Sequence, residues 1–128
     1  KEHLLQQGKK VFDCGVLNNS SVDYPDIAHS VCDKLISENA EFAVLICGTG
    51  IGISIAANKI KGIRAALLCN NYSAQMAREH NNANVICFGG RTTSFENAAE
   101  MLKVYMNAKF GGERHQIRVD KITKIEDR

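Results

Sequence analysis

Apolar positions along the chain fall into two alternating periods. Short continuous apolar runs occur at Val11–Cys14, Phe42–Cys47, Ile63–Cys69 (broken only by Arg64) and Asn84–Phe88. Runs of this length bounded by turn residues predict buried strands. Between them the apolar residues recur at three- and four-residue spacing. Ile27, Ala28, Val31, Cys32, Leu35 and Ile36 predict one helix, with Asp23 able to cap it and Pro25 in its first turn. Ile53–Ile60 predicts a short helix stopped at Gly62, and Ser73–His80 another, broken by Asn81-Asn82. Ser94 can cap a long helix whose stripe runs through Ala98, Met101, Leu102 and Tyr105. Gly111-Gly112 separates it from a last helix over Glu113–Glu126 with a modest Ile117, Ile122 and Ile125 face. Asn18–Val22 reads as a polar loop, and Lys1–Gly8 as the end of an amphipathic helix closed by Gly8.

Strand and helix alternation predicts an α/β fold. The expected architecture is three α/β/α layers around a doubly wound, Rossmann-like parallel sheet, with an extra C-terminal helix. The 128 residues make one domain, 1–128, in which 113–128 carries Arg114, His115, Arg118, Arg128 and several lysines. A basic helix after a Gly-Gly hinge suits packing on a partner subunit.

Composition narrows the function classes. A net charge of +2 without a dense Lys/Arg cluster argues against a nucleic-acid face. No apolar run approaches the roughly 20 residues that cross a membrane. The five cysteines, Cys14, Cys32, Cys47, Cys69 and Cys87, show no C-x-x-C spacing. They read as reduced thiols of a cytoplasmic protein rather than as disulfides or a zinc site.

The candidate chemistry centres on Cys47-Gly48-Thr49-Gly50-Ile51-Gly52-Ile53-Ser54. The thiol ends a strand, and three alternating glycines lead into a helix. Ligands of open α/β sheets bind at that edge, and backbone amides there attract anions. Gly52-Ile53-Ser54 lacks the lysine of a Walker A loop, and Ile53 stands where the dinucleotide fingerprint needs glycine. A cysteine phosphatase loop would want arginine at that same position. What remains is a loop whose amides cradle an oxyanion. Cys47 is either a small buried apolar residue or a thiolate acting as nucleophile or base. His80 reads as a helix C-terminal histidine, either solvated or functional. Arg114, His115 and Arg118 read as sharing one helix face; they form either a phosphate grip or a solvated basic face. Arg91 follows Gly89-Gly90 at a ligand edge, Arg64 sits at the opposite end as a structural residue, and Tyr24 either stacks on a sugar or packs.

Six separated motifs, in order, resemble a known family. They are Asp23-Tyr24-Pro25, the Cys47–Lys59 loop and helix, Gly62-Ile63-Arg64-Ala65, Tyr72-Ser73-Ala74-Gln75 with Arg78-Glu79-His80-Asn81, Asn84-Val85, and Arg114–Val119. Together they are similar to type B ribose-5-phosphate isomerase, whose wider family includes allose- and galactose-6-phosphate isomerases. The resemblance implies an aldose–ketose isomerisation of ribose 5-phosphate and ribulose 5-phosphate, needing no metal or organic cofactor. It implies Cys47 as the base that moves a proton between C2 and C1 through a cis-enediolate. Gly48, Thr49, Gly50, Ile51 and Gly52 would face the developing oxyanion, with Thr49 as an added donor. His80 would open the furanose ring and Asn81 would bind the sugar. Arg91, Arg114 and Arg118 would hold the phosphate with His115 beside them, and Tyr24 would line the pocket. It also implies a homodimer, or dimers paired into a tetramer, in which His80, Asn81 and Arg91 serve the partner's Cys47. A hexose 6-phosphate isomerase and a non-catalytic phosphosugar-binding module are the alternatives. The family's front strand, with its Asp-His motif, has no match here. The resemblance therefore implies about 15–20 further residues before Lys1, placing a strand beside Val11.

Overall fold

The computed structural model describes all of residues 1–128 except Leu17 and Asn19. Asn19, part of the polar loop expected over Asn18–Val22, thus lies outside the described residues. The described residues form six helices and three strands, in the order α1 (Glu2–Gln6), α2 (Tyr24–Ser37), β1 (Ala43–Cys47), α3 (Ile51–Ala57), β2 (Ala65–Leu67), α4 (Asn71–Glu79), β3 (Val85–Gly89), α5 (Phe95–Asn107) and α6 (Arg114–Ile125). The sheet order is β1-β3-β2, and both pairings are parallel. Ala43 lies opposite Val85 and Cys47 opposite Gly89, so all three strands point their carboxyl ends the same way.

The central strand shows why this is a three-layer fold. Side chains alternate across a strand. Val85 and Cys87 face a core built with Ala28, Cys32 and Leu35 of α2 and Ile53 and Ala57 of α3. Ile86 and Phe88 face the other core, built with Ala74 and Ala77 of α4 and Met101, Leu102 and Tyr105 of α5. β3 is buried at every residue, which is why it reads as an unbroken apolar run.

Helix ends follow their local chemistry in most places. Asn70 and Ser73 form a reciprocal capping box at α4, and Ser94 accepts the Asn97 N–H at α5. Gly8 takes the left-handed φ of 79° after α1. Asp23 occupies the N-cap position of α2, but its side chain makes no capping hydrogen bond. α3 starts two residues earlier than its apolar spacing predicts, and β2 is held to three residues.

The strand expected at Val11–Cys14 is not formed. A strand needs a neighbour about 4.8 Å away to complete its ladder. Here a groove of about 740 Å³, lined by Phe12, Val31, Leu35, Val44, Ile46 and Phe88 among others, adjoins both this segment and the outer edge of β1. The segment is held by other means. Gly15 N–H donates to Asp13 Oδ1 at 3.1 Å, Lys1 pairs with Asp13, and Lys10 and Lys34 lie over the Phe12 ring. Ile46 is 60% exposed, a high value for the apolar run of a sheet. Among the described residues no helix is long and apolar enough to cross a membrane.

Candidate active site

β1 ends at the half-buried Cys47, and the next three residues turn back on it. Gly50 adopts a left-handed φ of 78°, which aims its N–H at the Cys47 sulfur, 3.2 Å away. Thr49 Oγ1 accepts the Ile51 N–H at 3.2 Å, tightening the loop into α3. The loop after β3 is bonded to this one: Gly90 N–H donates to Cys47 O at 2.7 Å and Arg91 N–H to Gly48 O at 3.0 Å. The Arg91 guanidinium crosses Gly48 so closely that a Cβ there would stand 3.4 Å from Nη1. On the other side, the Tyr24 phenol lies against Gly52, where any Cβ would collide with it. Cys47, the amides of Gly48–Gly52, Thr49, Arg91 and Tyr24 therefore form one cluster at the carboxyl edge of the sheet.

The other thiols are separated from this chemistry by their surroundings. Burial pushes the Cys87 thiol up to about 12, helped by Cys32 and Cys47, and the Cys32 thiol to about 11, helped by Asp33. Both stay protonated and serve as core residues. Cys87 lies inside β3 rather than at its end, Cys14 is in the unpaired segment, and Cys69 is exposed.

His80 and the basic helix make a second cluster. The His80 and His115 rings stack with centroids 4.1 Å apart and planes 13° apart. Gly111 N–H donates to Glu79 O at 2.9 Å and fixes the start of α6 against the end of α4. Partial desolvation lowers the His115 pKa, and the positive charges of His80, Arg114 and Arg118 lower it further against an opposing Glu113. Arg114 and Arg118 lie one turn apart and exposed, and Asn81 is exposed beside His80.

The two clusters do not meet within one chain. α4 starts after β2, at the carboxyl edge, and ends before β3, at the amino edge. His80 therefore sits at the opposite end of the sheet from Cys47. The five residues of β3 alone separate the two edges by roughly 13 Å at about 3.3 Å per step. The expected grouping of Arg91 with His80 and Asn81 does not hold: its hydrogen bond to Gly48 places it with its own chain's Cys47. Arg64 lies at the end of the sheet opposite the Cys47 loop and binds backbone, as expected of a structural residue. His80 is at that amino edge too, and the Arg64 guanidinium binds the carbonyls of Asn81 and Asn82. Its sequence signals were a lone charge inside an apolar run and its place in the Gly62-Ile63-Arg64-Ala65 motif.

Residues 1–122 match the model of the Ribose/Galactose Isomerase family. The chain belongs to that family. Among its relatives, ribose-5-phosphate isomerase B of Escherichia coli is 44% identical over 126 residues, covering 98% of this chain and 85% of that protein. A putative sugar phosphate isomerase of Bacillus subtilis, YwlF, is 46% identical over 116 residues, 91% of this chain and 76% of that protein. Solved structures agree. Clostridium thermocellum ribose-5-phosphate isomerase B superposes with a TM-score of 0.95 at 44% identity, over 98% of this chain and 85% of that one. The Leishmania infantum type B enzyme gives 0.93 at 43% identity, over 98% and 84%. The Ribose/Galactose Isomerase fold is thus shared along almost the full length described, both clusters included.

Proposed function

We propose that this chain interconverts D-ribose 5-phosphate and D-ribulose 5-phosphate, at a site assembled from the Cys47 cluster of one copy and the His80 cluster of another. What carries the reading is the Gly50 N–H on the Cys47 sulfur, in a loop crossed by a guanidinium, on a chain 44% identical to a ribose-5-phosphate isomerase B. The thiolate removes a proton from C2 of the open-chain aldose and returns it at C1, while the hydroxyl proton on O2 passes to O1. Charge that develops on the substrate oxygens meets the amides of Gly48–Gly52 and the Thr49 hydroxyl. No covalent bond to sulfur forms.

The second copy supplies the other half. Its His80 moves the protons that open the furanose ring, and its Asn81 binds the sugar. Its Arg114 and Arg118 grip the phosphate, with His115 alongside, while Arg91 reaches the same phosphate from the Cys47 side. Tyr24 closes the pocket over the sugar. The opposite-edge placement of Cys47 and His80 supports a homodimer, since one chain cannot bring them to one substrate. The exposed Ile117, Ile122 and Ile125 of α6 suit that contact. Side chains alone carry the proposed proton transfer. Five unpaired thiols suit a reducing compartment, the cytoplasm.

The test is solvent-proton exchange at the substrate in D₂O, with ribose, allose and galactose phosphates assayed side by side. Wild-type protein should exchange and favour the pentose, and Cys47→Ala should bind but not exchange. Exchange retained in Cys47→Ala would contradict the base assignment. A preference for a hexose phosphate would move the substrate, and no exchange by wild-type protein would leave a binding module.

A further inference from the structure

We propose that Arg64 is a positioning residue for the His80–Asn81 corner, acting through the peptide groups that follow the histidine. Arg64 Nε donates to Asn81 O at 3.0 Å and to Asn82 O at 3.2 Å, and Nη2 donates to Asn82 O at 2.9 Å. One guanidinium thus binds two successive carbonyls at the end of α4. Both carbonyls lie just past the C-cap His80, outside the helix's own hydrogen-bond ladder. A planar fork of N–H groups suits two such acceptors in a way that an ammonium does not.

The corner needs an external hold because its backbone is unusual. Asn82 takes a left-handed φ of 45° without being glycine. Its N–H returns to Arg78 O at 3.1 Å, and the Ala83 N–H to Ala77 O at 2.9 Å, so the chain reverses within a few residues of His80. Arg64 is itself fixed from both sides. Its N–H donates to Asn84 Oδ1 at 2.8 Å, its carbonyl accepts the Asn84 N–H at 3.0 Å, and Asn84 Nδ2 donates to Gly62 O at 2.8 Å. A half-buried arginine therefore sets the two peptide planes that flank Asn82, the first of them directly after Asn81 and one residue from His80. The Arg64 guanidinium is engaged by these backbone carbonyls, so it acts through the corner.

The inference rests on the ring-opening role proposed for His80, and substrate chemistry allows the two to be tested apart. Ribose 5-phosphate is mostly a closed furanose and must be opened. Ribulose 5-phosphate carries its phosphate on the C5 oxygen, so it cannot close a furanose. Deuterium uptake at its C1 from D₂O needs Cys47 but no ring opening. Misplacing a catalytic group by about an ångström costs on the order of a hundredfold. Arg64→Ala should lower kcat for ribose 5-phosphate by about 10- to 100-fold. Deuterium uptake from ribulose 5-phosphate should be little changed, and Arg64→Lys should fall between. His80→Ala is the control and should show the same split more severely. Native circular dichroism and native oligomer mass are checked for each variant, and Arg64→Lys carries the test if Arg64→Ala does not fold. Parallel loss of turnover and exchange in folded Arg64 variants, or loss of neither beside a defective His80→Ala, would overturn the positioning role. Full turnover in His80→Ala would instead refute the ring-opening role of His80 and overturn the inference that rests on it.

Discussion

Replacing Gly50 by alanine tests the link from backbone conformation to the reactive sulfur. Gly50 sits at φ 78°, where an L side chain costs about 1–2 kcal/mol. Its Cβ would stand 2.9 Å from the Phe88 carbonyl carbon and 3.0 Å from its oxygen, atoms of the central strand that have no room to move. Leu67 Cδ1 is nearer still but is the end of a flexible side chain. Overpacking of this kind costs about 1–3 kcal/mol, so Gly50→Ala should lose about 2–5 kcal/mol in all. For a domain of this size that lowers Tm by about 6–20 °C. Gly62→Ala is the internal control. Its φ is 83° but nothing lies within 4 Å of its Cβ position, so only the conformational part applies. Thermal unfolding of both variants separates the two contributions. In Gly50→Ala, kcat should also fall by about tenfold or more, because the N–H on Cys47 Sγ moves. A Tm change no larger than that of Gly62→Ala, together with unchanged kcat, would refute the argument.

Two further outcomes follow from the second cluster. Arg118→Ala should raise KM for ribose 5-phosphate by about 10- to 100-fold with kcat largely kept, because the phosphate is remote from the reacting carbons; a fall in kcat at constant KM would contradict that placement. His115 should make the fold sensitive to acid. Its folded pKa lies below the unfolded value of about 6.5, so the unfolded chain binds more protons and the contribution of His115 is lost as pH falls through that value. Tm measured at pH 8 and pH 5.5 should drop less in His115→Gln than in wild-type protein, and equal drops would refute the shift.

The layered fold was legible where local pattern and burial coincide. β3 is buried on both faces, so its apolar run announced it, and Ser94 and the Asn70/Ser73 pair mark helix starts by side-chain chemistry. Val11–Cys14 has the same apolar pattern, but a strand also needs a neighbour, and that information is not in the segment. The Cys47 loop was legible from its glycines, although only the structure shows the φ of Gly50 that turns an amide onto the sulfur. The separation of His80 from Cys47 was implied by the family resemblance and not by the local pattern. It depends on α4 running back across the sheet, which places His80 and Cys47 at opposite edges however close their motifs lie in sequence. The structural reading of Arg64 held, but its partners, Asn81 and Asn82, are brought to it only by that crossover.

The most direct test of a site shared between two copies is complementation. Cys47→Ala and His80→Ala are each inactive on ribose 5-phosphate if the account is right. Co-expressed or reassociated in equal amounts, half of the dimers are mixed, and each mixed dimer holds one site with both residues intact and one with neither. Activity should recover to about a quarter of the wild-type value. A mixture no more active than its parents would contradict the shared site.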